Sequence, residues 1–134
     1  MDKVVYMDDI YKMIELLPDE KQNAIIVDTA ECTYTNEDGD HCIAGQIMSM
    51  LGFRLPDVDS YNNSLPIRTL LESVYTDKFD DNAIEMLYVG QSTADRLTHN
   101  EDPLAWGFAK RDMINFFTRT RKEEIAQRNL QAGH

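Results

Sequence analysis

A mainly α-helical domain, about five helices with one small β-hairpin, is the fold that this sequence predicts; an α+β arrangement is the alternative. Three observations carry the prediction. Apolar residues recur at helical spacing in five separate stretches. Residues that favour extended backbone gather in one place, Ile25-Ile26-Val27 and Thr33-Tyr34-Thr35, next to the turn dipeptide Asp38-Gly39. With 134 residues, 43% of them hydrophobic, the chain is long and apolar enough for one core. Residues 1–134 therefore read as a single compact domain, with 129–134 expected to fray as a tail.

The first helix is "DDIYKMIELLP". Asp8 is placed to cap it, because a short side-chain acceptor satisfies a free amide there. Ile10, Met13, Ile14 and Leu17 form its apolar stripe, and Pro18 ends it. "NAIIVDTAECTYT" then reads as the hairpin, turning at "NEDGDH"; a helix over 19–30 is the competing assignment. "HCIAGQIMSMLG" returns to helical period through Ile43, Ile47, Met50 and Leu51, and Gly52 is a natural left-handed stop. A loop rich in proline and polar residues follows.

The third helix begins near Ser64, with Pro66 in its first turn and Ile67, Leu70, Leu71 and Val74 expected to face the core. The fourth is "FDDNAIEMLYVGQSTADRLTHN", capped by Asp80 or Asp81. Ile84, Leu87, Gln91 and Ala94 share its inner face, and Gly90 lies mid-helix, where a neighbour is expected to approach closely. The fifth starts at Asp102-Pro103, a cap followed by a proline at the first helical position. Leu104, Phe108, Met113, Phe116 and Phe117 are its expected core residues.

Charge narrows the function classes. The net charge is -11 and the pI about 4.5. Direct nucleic-acid binding is disfavoured, because phosphate contacts need a basic face. Residues 1–109 hold 21 Asp/Glu against 7 Lys/Arg, about -14; residues 110–134 hold 3 against 6, about +3. This suggests an acidic body with a basic last helix. No apolar run is long enough for a membrane span, and "MDKVVYMDDIYKMIELL" lacks the cationic start of a leader. Two cysteines in such a chain point to a reducing cytoplasm and free thiols.

The stretch most suggestive of chemistry is "ECTYTNEDGDHCIAGQIMSMLG". Cys42 opens a helix, where free amides and the helix dipole favour a thiolate. A cysteine enzyme would pair Cys42 with His99 as base and orient the histidine through Asn100 or Asp102. No thiol-protease signature surrounds Cys42, and Ile43 and Ala44 follow at once, so a buried structural cysteine is the preferred reading. Metal ligation through Cys32, His41, Cys42 and His99 lacks metal-site spacing, and no metal is expected. A calcium loop aligned on Gly39 would place Tyr34 and Gly45 at ligand positions, which excludes it. Phosphate-binding glycine loops, GxSxG and HExxH are absent from the sequence, so no cofactor is expected. Trp106, the single tryptophan, reads as a core anchor or a partner-facing residue; Asp57, Asp59, Asp80 and Asp81 are the acidic candidates for partner binding.

"CTYTNEDGDHCIAGQIMSMLG" resembles a group of small actinobacterial and actinophage proteins, in which Cys-Ile-Ala-Gly starts a helix and an Asp-x-x-x-Trp segment follows. "QSTADRLTHNEDPLAWGFA", with Asp102 and Trp106, is similar to that second segment. The resemblance covers about half the chain and transfers no catalytic residue. It implies a phage or bacterial accessory protein. The expectation is a non-enzymatic acidic interaction protein, possible as a modulator or inhibitor of a host protein, with DNA mimicry as a narrower version. A cysteine hydrolase or transferase and a small-ligand sensor are the alternatives. Self-association is compatible with the Met, Phe and Tyr content.

Overall fold

The computed structural model describes residues 4–17, 25–26, 31–32, 42–56, 65–99 and 104–132. Its order is α1 (Met7–Ile14), β1 (Ile25–Ile26), β2 (Glu31–Cys32), α2 (Ile43–Met50), α3 (Ile67–Ser73), α4 (Asp81–His99) and α5 (Ala105–Ala132). The described chain is mainly helical, with five helices. β1 and β2 pair antiparallel, Ile25 opposite Cys32 and Ile26 opposite Glu31. Both lie ahead of Asp38-Gly39 in the chain, so this short ladder does not show the expected hairpin; its turn lies outside the described residues.

α1 begins two residues earlier than an Asp8 cap would place it. Tyr6 is the cap position, and Asp9 accepts a hydrogen bond from the Tyr6 amide at 3.0 Å. Asp8 sits within the first turn and pairs with Arg121 at 2.6 Å instead of capping. An acid in that turn still meets the positive end of the helix dipole. Ile10 and Ile14 are fully buried and Leu17 nearly so, as the stripe requires. The segment before α1 is tied to the entry of α4: Val5 donates to the Lys78 carbonyl and Asp80 donates to the Val5 carbonyl, each at 2.9 Å.

α2 ends in a Schellman turn. Phe53 donates to the Met48 carbonyl and Gly52 to the Ser49 carbonyl, both at 3.0 Å. This geometry places Gly52 at φ +94°, where a side chain would be strained. The turn delivers Phe53 to an aromatic group with Tyr75 and Phe79, ring centroids 5.0 to 6.4 Å apart. α3 starts after Pro66, which occupies the cap position and not the first turn. Val74, expected inside, is 40% exposed because α3 ends at Ser73 and the chain turns away.

α4 and α5 make the most extensive helix pair. Asp80 caps α4, its carboxylate accepting from the Asn82 amide at 3.1 Å. Gly90 then explains the close approach. A Cβ there would lie 2.2 Å from Met113 Sδ and 2.7 Å from its Cγ, so Met113 fills the space that the glycine leaves. Leu104 is 48% exposed, a correction to its expected core role: it precedes the first turn of α5, before the inner face is established. Met113 is fully buried, while Phe116 and Phe117 pack against the core from its edge. Lys110 Nζ donates to the Leu17 carbonyl at 2.6 Å and ties α5 to the end of α1. Asn82 meets Glu124 at 3.2 Å, so the remaining turns of α5, through Ala132, run past the start of α4.

Candidate functional site

The corner at Cys42 is built from two elements, α2 and α4. Cys42 is the cap residue of α2, in extended backbone, and its carbonyl accepts the first helical bond from Gln46 at 2.8 Å. Two amides of the first turn would otherwise be free. Gly45 N–H donates to Cys42 Sγ at 3.4 Å, and Ala44 N–H donates to Gln91 Oε1 of α4 at 2.9 Å. Gln91 Nε2 donates onward to Asp95 Oδ1 at 2.7 Å. The buried helix start is thus capped by a thiol and by an amide borrowed from another helix. That arrangement avoids the cost of burying unpaired backbone donors.

This geometry sets what Cys42 can do. Its side chain is a free thiol with 1% exposure, among Ile43, Ala44, Ile47 and the rest of one continuous core. A nucleophile needs access for its electrophile, and the amides that could receive an oxyanion already donate to Sγ and Gln91. The side chains of His99 and Cys32 are outside what the structure describes, and Asp102, Asp57, Asp59 and His41 lie outside the described residues altogether. Among the described residues, no group of three or more His, Cys, Asp or Glu side chains is placed to hold a metal ion. No described helix is long and apolar enough to cross a membrane.

Trp106 is 2% exposed and belongs to the core, so it is not a surface hot spot. Asp80 is spent as the cap of α4, and Asp81 is exposed in the first turn of the same helix. The polar contacts between α4 and α5 were not foreseen. Thr93 donates to Asp112 Oδ2 at 2.7 Å, beside a shallow groove that also carries Arg96 and Arg111. A polar residue on an apolar helix face, as Gln91 is, was the available signal for the contact between α4 and α2, because burial obliges it to find partners.

Charge divides the molecule sharply. With histidine neutral, α1 carries -1, α2 and α3 carry 0, α4 carries -2 and α5 carries +3. The helices together are therefore neutral, and the whole -11 belongs to residues outside them. Residues 18–41 alone contain seven Asp/Glu and one Lys. The acidic excess expected from the sequence thus falls on the residues between the helices, and the helices themselves are neutral. Comparison with protein-family models, with curated proteins and with solved structures gave no match.

Proposed function

We propose that this protein is a non-enzymatic acidic interaction module that binds a basic surface of another protein. The observation that carries the reading is the charge division: neutral helices, with the net -11 on the residues that connect them. Helices that carried the charge themselves would pay self-repulsion within the fold. Placing it on the connections leaves the core undisturbed and offers carboxylates to a partner. Such charge sets association rate and partner choice more than raw affinity. The resemblance to small actinobacterial and actinophage proteins frames the partner as a host protein that the module modulates or inhibits. DNA mimicry is a narrower form, and the neutral helices contribute no net negative charge to it.

Cys42 supports the non-enzymatic side of this reading, since its thiol is buried and its neighbouring amides are engaged. The test is retention of a stoichiometric partner from host lysate by the wild-type chain and by two charge-reversed variants. Glu37→Lys/Asp38→Lys/Asp40→Lys changes a connection; Asp81→Lys/Glu85→Lys changes a helix. Loss with the first variant, near-normal retention with the second and elution by moderate salt are expected. Equal retention by all three, or no stoichiometric partner under repeated trials, refutes the proposal.

A further inference from the structure

A groove between the second half of α4 and the first half of α5 has a lining with ligand chemistry. It has a volume of about 240 Å³ and is lined by Thr93, Arg96, Leu97, Phe108, Arg111 and Asp112. Arg96 and Arg111 form no ion pair among the described residues, in a protein of net charge -11. Arg111 lies over the Phe108 ring at 5.0 Å, which holds its guanidinium at the groove wall. Among the described residues Asp112 accepts from Thr93 through Oδ2 only, which leaves Oδ1 to a further donor. Leu97 and Phe108 give the remaining wall an apolar character.

These groups define a ligand by complementarity. Two guanidinium forks select a planar carboxylate. A neighbouring carboxylate oxygen selects a donor close to it, an ammonium group above all. It also disfavours a dianionic phosphate through like-charge repulsion. The apolar wall accepts a hydrocarbon or aromatic body. Drug-sized sites occupy roughly 300–1,000 Å³, so a groove of 240 Å³ suits a smaller molecule. We infer that the groove is a binding site for a free α-amino acid with an apolar side chain. Its carboxylate meets Arg96 and Arg111, its ammonium meets Asp112, and its side chain lies on Leu97 and Phe108. This goes beyond the partner-binding reading and depends on different residues, so either can fail alone.

The test is a titration of the full chain followed by amide NMR, with L-phenylalanine as the probe at millimolar concentration. Saturable shifts are expected at Thr93, Leu97, Phe108 and Asp112. 3-Phenylpropionate, which lacks the ammonium, and phenethylamine, which lacks the carboxylate, should each bind about tenfold more weakly, the effect of one charge-assisted hydrogen bond. Arg96→Ala/Arg111→Ala should abolish the shifts, and both residues are exposed, so Trp106 fluorescence should stay that of the folded chain. Asp112→Asn should weaken phenylalanine while leaving 3-phenylpropionate unchanged. The inference is overturned if phenylalanine produces no saturable shift. It is equally overturned if the double arginine variant binds normally, or if 3-phenylpropionate binds as tightly as phenylalanine.

Discussion

The helical frame and the connections between its helices follow opposite rules. The frame is electrically neutral, and its interior is a continuous cluster running from Val5 to Met113. The connections hold all the net charge, most densely in residues 18–41. The difference teaches where each kind of free energy resides. Apolar burial and a few buried hydrogen bonds hold the frame, and moderate salt does not screen them. The connecting carboxylates act through long-range fields that salt screens. Changes in the frame should therefore cost stability, while changes in the connections should cost binding.

The largest effect is expected at Met113. It is fully buried against Gly90, and Met113→Ala should lower the unfolding free energy by about 2–5 kcal/mol through lost contacts and a cavity. Urea denaturation followed by the fluorescence of Trp106 would measure it, since that residue leaves the core on unfolding. Gly90→Ala tests the same contact from the other side. Helix propensity alone favours alanine by up to about 1 kcal/mol. Displacing Met113 from a packed core costs about 1–3 kcal/mol, so the variant should be less stable in the same assay. A more stable variant would show that Met113 has room to move.

Gln91→Leu should cost a similar amount, about 1–3 kcal/mol, because it leaves the buried Ala44 amide without its acceptor. Hydrogen exchange at Ala44 should accelerate with it. The smallest effect lies at Tyr75. Burial raises its hydroxyl above the ordinary value of 10.0, and the hydroxyl donates to the Arg54 carbonyl at 2.5 Å. The folded state therefore holds this proton more tightly than the unfolded state. The contribution is fully present below the ordinary value and is lost as pH rises through the folded one. Melting temperature should fall in that alkaline range, and Tyr75→Phe should flatten the fall.

Much of the frame was legible in the sequence. Ile10 and Ile14 on α1, Leu17 just after it, and Ile84, Leu87, Gln91 and Ala94 on α4 are buried as their spacing requires. Gly52 and Gly90 mark a left-handed stop and a close approach, two situations in which a side chain is excluded. The misplacements share a cause. Leu104 and Val74 fit their stripes by periodicity, yet each stands just beyond a helix end and is about half exposed. Asp8 was a plausible cap by residue type, but the backbone entered the helix at Met7 and left the capping to Asp9. The groove of Arg96 and Arg111 was illegible for a different reason. It arises from residues on two helices brought together only by packing, and no local spacing encodes it. The role of Cys42 was half legible: its burial followed from its neighbours, whereas its partnership with Gly45 and Gln91 needed the fold.

The division between frame and connections can be tested in one protein, Glu37→Gln/Asp38→Asn/Asp40→Asn/Asp57→Asn/Asp59→Asn. Its unfolding free energy and its retention of the host-lysate partner should be measured side by side with those of the wild-type chain. The account predicts stability within about 1 kcal/mol of wild type, because the substitutions lie outside the helices and their core, together with loss of the partner. A variant that loses several kcal/mol, or that keeps the partner at wild-type salt resistance, would contradict it.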